Sequence, residues 1–260
     1  KVGVEVGPLN RPLVRKGEAR VYYADHLSTE ALREKYQHDP AVDTAQIVGV
    51  DFDLSQITFK DALARIMPID FVVASHVIEH VPDLVGWLSD INAALRVGGV
   101  LALVIPDKRF TFDLHRRETP LWEVEAAHTE KRTRPSLSIT LDHFLNNVNI
   151  DAGELWRDYS IGREAHRAMP PTIAQTVCEQ WADGHYIDAH CWVFTPWSFL
   201  RTIGWIVRKY GLGYDLRWAE PTPHNELEFY IQLEKQTPTS VSTDWEEAAS
   251  KLEARAPVPG

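Results

Sequence analysis

Short apolar runs in the first half of the chain each end on residues that can do chemistry. Val4-Glu5-Val6 leads into Gly7-Pro8, and Val21-Tyr22-Tyr23-Ala24 into Asp25-His26. Ile47-Val48-Gly49-Val50 leads into Asp51-Phe52, and Phe71-Val72-Val73-Ala74 into Ser75-His76. A glycine at such a point lets the backbone approach a ligand with no Cβ in the way. A carboxylate there can accept hydrogen bonds from both hydroxyls of a ribose, and Asp25 follows Gly7 by about 18 residues, near the spacing that role requires. Gly7 could equally serve a plain turn, and Asp25 and Asp51 could cap helices. Histidines gather later, in Asp142-His143 and in His185-Tyr186-Ile187-Asp188-Ala189-His190. Histidine ionises near neutral pH and suits a general base, so His190 and His143 are the candidate catalytic residues.

Two metal-ligand patterns compete with that reading. His76-Val77-Ile78-Glu79-His80 has the H-x-x-E-H form, which on a helix would place two imidazoles on one face with Glu79 as base. It follows a buried strand directly, however, and Pro82 interrupts any helix, so His80 reads better as a packed histidine. His185, Asp188 and His190 form a second donor set. No metal is expected from either.

The elements that must position these residues alternate. Ser28 to Tyr36 has helical spacing with Ser28 as N-cap, Phe59 to Ile66 reads as a short helix, and Leu84 to Leu95 repeats apolar residues at helical spacing before Gly98-Gly99. Val100 to Ile105 is a fifth strand. Strands alternating with helices predict a parallel sheet covered on both faces. Ligands of such sheets bind beyond the carboxyl ends of the strands, where the strand order reverses. The rhythm breaks at Asp107 and returns with a helix from Thr195 to about Tyr210. Two strands follow, Gly213 to Ala219 and Leu227 to Leu233, and their short link makes them antiparallel. The reading divides the chain into a core of residues 1–106 and 191–236, an inserted acceptor-binding or lid region at 107–190, and a linker-like tail at 237–260. That tail reads as a linker or as a loosely attached helix at Trp245 to Leu252. Six aromatics in the insertion and beside it, Trp122, Phe144, Trp156, Trp181, Tyr186 and Trp192, could stack on sugar rings or form a small core. The chain opens directly on a core strand, from which a preceding segment is expected.

Composition narrows the partners. The 260 residues carry a formal net charge of -10, with 44% hydrophobic residues. Lys and Arg cluster only at Lys108-Arg109, Arg116-Arg117 and Lys131 to Arg134, a poor footprint for nucleic acid. No apolar run approaches the roughly 20 residues that span a bilayer. Two cysteines make no disulfide framework, so a cytoplasmic setting is expected.

Val4-Glu5-Val6-Gly7-Pro8 resembles the first motif of class I methyltransferases in its E-x-G form. The run from Phe71 to Asp83 looks like the fourth-strand region of the type 11 methyltransferases. Leu95-Arg96-Val97-Gly98-Gly99-Val100-Leu101 is similar to their L-(K/R)-P-G-G-x-L turn, with Val97 in place of proline. The usual G-x-G-x-G is reduced to Gly7 alone. The resemblance implies a Rossmann-like, seven-stranded, mostly parallel sheet with an antiparallel last strand and an insertion after the fifth strand. It implies S-adenosylmethionine as cofactor. Glu5 and Gly7 would flank its methionine and ribose, Asp25 would hold the ribose, Asp51 and Phe52 would lie near the adenine, and Ser75 and His76 would face the sulfonium. The segments Pro106 to Phe110 and His190 to Pro196 resemble bacterial methyltransferases found with glycosyltransferases in surface polysaccharide synthesis. That implies methylation of a hydroxyl on a small molecule, sugar or glycan, with glycosyltransferase modules in the same chain or pathway. The alternative is a non-catalytic, methyltransferase-like scaffolding module. A nicotinamide dehydrogenase is disfavoured, because no G-x-G-x-x-G follows the first strand.

Overall fold

The computed structural model describes residues 1–257. Among them, seven strands form one sheet: β1 (Val2–Val6), β2 (Arg20–Asp25), β3 (Phe52–Asp53), β4 (Ile69–Ser75), β5 (Leu95–Pro106), β6 (Tyr214–Glu220) and β7 (Glu228–Lys235). Their order is β3-β2-β1-β4-β5-β7-β6. The first five pair in parallel, and β7 runs antiparallel to both β5 and β6. This is the expected α/β architecture. Val4, Val72, Ala74, Leu101 and Leu103 share one face of the sheet and are all buried, while Phe71, Val73, Val100, Ala102 and Val104 on the other face are partly buried.

The helices follow the periodicity read above. α1 (Thr29–Lys35) is capped by the Ser28 hydroxyl on Ala31 N–H, and α2 (Phe59–Ala64) by Thr58 on Asp61 N–H. α3 (Leu84–Ala94) turns Leu84, Leu88 and Ile91 into the core. The chain then passes straight into β5. Gly98, at φ 77°, lies where the β4–β5 register shifts, a backbone state that favours glycine.

One strand differs from expectation. The third strand is not Ile47 to Val50 but Phe52–Asp53. The backbone N–H of Val48 donates to Leu9 and that of Val50 to Thr29 Oγ1, so neither is free to pair with β2. The crossover from β1 to β2 carries no helix. Pro8 and Pro12 break that segment, and the Glu5 carboxylate instead accepts the N–H groups of Leu13 and Val14 at 2.7 and 2.8 Å.

After β5 the insertion builds α4 (Leu121–Thr129), α5 (Leu137–Asn146), α6 (Ala152–Arg157) and α7 (Ile173–Ala182). Val124, Ala127 and Ile139 join the main core, while Phe110, Leu155 and Trp156 form a small core of their own. α8 (Pro196–Tyr210) returns the chain to the sheet behind a Thr195–Ser198 capping box. Of the two readings of the tail, linker or loosely attached helix, the structure has the helix, α9 (Trp245–Arg255), and it is docked rather than loose. Its Trp245, Ala249 and Leu252 are buried in the main core, with Trp245 against Gly204 of α8. Positions 258–260 of that tail lie outside the described residues.

Candidate active site

The chain leaves β1 toward β2 on one side and returns through β4 on the other, so strand order reverses between β1 and β4. A cavity of ≈ 720 Å³ opens beyond the carboxyl ends of these strands, the place and size expected for a cofactor site. Val6, Gly7, Asp25, Ser75 and His76 line it from the sheet, and His80, Tyr186 and Asp188 from the far side. Leu54, Phe59 and Trp87 make an apolar wall. Gly7 has φ 66°, and a Cβ there would come within 2.9 Å of Val77. The backbone therefore passes the cavity where a side chain does not fit.

The expected cofactor residues separate into two groups. Gly7, Asp25, Ser75 and His76 line the cavity. Glu5, Asp51 and Phe52 are occupied elsewhere. Glu5 holds the β1–β2 crossover, and burial pushes its pKa up. Asp51 accepts Tyr23 N–H at 2.8 Å and pairs with Lys16 at 2.9 Å, which ties the approach to β3 to β2. Phe52 is buried and stacks on Tyr22 at 5.5 Å. Asp25 is buried rather than solvated, and its Oδ1 lies 2.7 Å from His26 Nδ1. His26, named with Asp25 at the end of β2, also lines the cavity, whereas Phe59, Trp87 and His80 were not among the expected lining residues. Trp87 lies three residues after Leu84 in α3, a spacing that by itself does not separate a cavity wall from core.

His76 takes φ 52° at the end of β4, strain of a kind that concentrates at functional sites. Its Nε2 lies 3.6 Å from Glu228 Oε2, and its Nδ1 lies 3.6 Å from Glu79 Oε1. Burial pulls its pKa down, but these carboxylates outweigh burial and the net shift is upward. His76 and His80 share no helix face, because residues 78–80 form a single 3₁₀ turn. The H-x-x-E-H spacing therefore does not act as a helical metal motif.

A different grouping forms where the insertion meets that turn. His80 Nδ1 lies 2.8 Å from Asp188 Oδ1, and His190 Nδ1 lies 2.6 Å from Asp113 Oδ2. The two imidazoles meet edge to face at 4.7 Å between centroids. Each carboxylate fixes its partner with Nδ1 protonated, which leaves both Nε2 lone pairs free. Asp188 falls to about 2 through its bond to His80. Burial would raise Asp113, but His190 and Arg116 hold it at about 2. His80 is raised, since Asp188 and Glu79 outweigh its burial.

His143 stands beside this grouping with both ring nitrogens engaged. Its Nδ1 accepts His190 N–H at 3.3 Å, and its Nε2 lies 3.3 Å from the Asn147 amide. The Oδ1 of Asn147 is buried without a partner, so turning that amide would let it accept Nε2–H of His143. Burial, with the Arg116 charge, pushes His143 down to about 3, so it is neutral at pH 7. Of the six aromatics considered for stacking, Tyr186 lines the cavity and is 56% exposed, whereas Trp156 and Trp192 are core residues.

No helix of the described residues is long and apolar enough to cross a membrane. Among curated proteins none matches this chain. Among solved structures, a Rhodobacter sphaeroides protein provisionally described as a Zn-dependent alcohol dehydrogenase is 15% identical, with 91% of this chain and 84% of that one covered and a TM-score of 0.47. A Listeria monocytogenes protein provisionally described as an S-adenosylmethionine-dependent methyltransferase is 12% identical, with 91% of each chain covered and a TM-score of 0.41. PKMT2 from Rickettsia typhi in complex with AdoHcy is also 12% identical, with 90% of this chain and 49% of that one covered and a TM-score of 0.41. The family model described as "Methyltransferase domain" matches residues 23–215, well over half of the chain. That match takes in β4 and the cavity lining from Asp25 to Asp188, though not β1; the chain belongs to the methyltransferase-domain family, and its cofactor is S-adenosylmethionine.

Proposed function

We propose that the chain transfers the methyl group of S-adenosylmethionine to a hydroxyl of a sugar or glycan, with His190 as the base. The sulfonium of the cofactor supplies an electrophilic methyl group. What remains for the protein is alignment and removal of one proton. The observation that supports the role of His190 is its bond to Asp113, which orients the ring and leaves Nε2 able to accept the hydroxyl proton. His143 is the weaker candidate, because both of its nitrogens are engaged. Gly7, Asp25, Ser75 and His76 are assigned to the cofactor, while Glu5, Asp51 and Phe52 shape the loops around it.

The insertion, 107–190, is assigned to the acceptor. It starts at the carboxyl end of β5, and it contributes Tyr186 and Asp188 to the cavity. Tyr186 offers an exposed ring on which a sugar can stack. The two free cysteines suit a reducing compartment such as the cytoplasm, and a glycan acceptor suits work alongside glycosyltransferases.

The helix-free β1–β2 crossover favours a second reading, a scaffolding module without catalysis. Incubation with the cofactor and a panel of sugars, nucleotide sugars and glycan ends separates the two. Release of S-adenosylhomocysteine together with a singly methylated sugar is expected. Cofactor binding with no turnover on any hydroxyl acceptor would favour the scaffold.

A further inference from the structure

Glu79 is 1% exposed, and neither of its carboxylate oxygens has a hydrogen-bond partner. A buried carboxylate left so is costly, and such orphans in native folds call for a partner. Its backbone carbonyl is well used, accepting N–H from Cys191 and Trp192, so the residue is held firmly. The side chain shares a small volume with two imidazoles. Donor atoms of Glu79, His80 and His190 all lie within 4.8 Å of one another.

We propose that Glu79, His80 and His190 bind one divalent cation of the zinc class. Two neutral imidazoles and one carboxylate make a borderline donor set, which suits Zn²⁺ far better than Mg²⁺. The surrounding shell has the required form. Asp188 holds His80 through Nδ1 and Asp113 holds His190 through Nδ1, so Nε2 is the atom each ring keeps for a cation, and that of His80 lies 4.0 Å from Glu79 Oε1. Carboxylates placed in this way orient metal-binding histidines and raise their basicity. The cation would satisfy the orphaned carboxylate and separate the two facing rings. Three protein ligands leave a fourth position open, as in catalytic zinc sites. His80 also lines the cofactor cavity, so this position lies at the border of that cavity and the insertion, where an acceptor oxygen would bind. The Nε2 of His190 then has two alternative uses, as metal ligand or as proton acceptor, and the occupied site uses it as ligand. The binding site itself does not depend on which acceptor is methylated.

The test is metal content and affinity, measured on the untagged chain after chelator dialysis. Calorimetry with Zn²⁺ and with Mg²⁺ is followed by desalting and elemental analysis. One Zn²⁺ per chain, retained through desalting, is expected, with Mg²⁺ not retained. Glu79→Gln and His190→Ala should abolish retention. Asp188→Asn changes a half-exposed residue that orients His80 without touching the cation, and should weaken Zn²⁺ binding about 10- to 100-fold. Circular dichroism verifies that each variant is folded. Zinc retained equally by folded Glu79→Gln and Asp188→Asn, or no retention by the unaltered chain, would overturn the proposal. Because the readout is metal and not turnover, either result leaves methyl transfer itself to its own test, whereas a retained Zn²⁺ takes His190 out of the base role and gives it to the metal.

Discussion

Oδ2 of Asp113 lies 2.6 Å from Nδ1 of His190, and both side chains are buried in the insertion. The other oxygen of Asp113 accepts Arg116 Nη1 at 2.8 Å, and Arg116 reaches on to the His190 carbonyl at 2.9 Å. One carboxylate thus fixes both the ring and the main chain that carries it. Asp113→Asn weakens this hold without changing volume. It should lower kcat by roughly 10²-fold or more, the usual worth of a positioned base, and leave cofactor Kd unchanged. Parallel turnover and calorimetry measure both. An unchanged kcat would show that the pair serves only the fold.

Acid stability carries the same signature. The Asp113 carboxyl is held at about 2 against an ordinary 3.8. A depressed carboxyl stabilises the folded state above its unfolded pKa, and that contribution is lost as pH falls through the folded value. The difference corresponds to about 2 kcal/mol, present above pH 4 and lost between pH 4 and 2. Urea denaturation of the native chain over that window should therefore fall more steeply with pH than that of Asp113→Asn.

Asp25 lines the cavity and is the carboxylate proposed to hold the cofactor ribose. Asp25→Ala should weaken S-adenosylmethionine binding by about 1–3 kcal/mol, the cost of charge-assisted hydrogen bonds. Calorimetry on the folded variant checks this. A Kd equal to that of the unaltered chain would confine Asp25 to its contacts with His26.

The docking of α9 is tested at Trp245. This side chain is 2% exposed, and its Cβ packs where Gly204 leaves room on α8. Trp245→Ala should lower unfolding free energy by about 3–5 kcal/mol, as for other buried aromatics. A loss under about 1 kcal/mol in urea denaturation would mean that the helix is held by other contacts.

Six of the seven strands, the helices outside the insertion and the end of the sheet where a ligand belongs were legible in the sequence, whereas the place of β3 and the four helices of the insertion were not. Parallel strands covered by helices are rich in apolar residues, and helix caps need particular side chains, so β1, β2, β4, α1 and α3 are written locally. Which strand-end residues face the cavity was decided by tertiary structure. Glu5 and Asp51 have the right type and place, yet backbone N–H groups of Leu13, Val14 and Tyr23 claim them. The docking of α9 likewise depends on a slot at Gly204 that its own polar composition does not announce. The grouping of Glu79, His80, Asp113, Asp188 and His190 was equally beyond local reading. His80 meets Asp188 across 108 positions, and His190 meets Asp113 across 77. Such convergence comes from how the insertion packs on the turn after β4. Residue spacing records the period of a helix or strand, and holds no record of which two distant segments will touch.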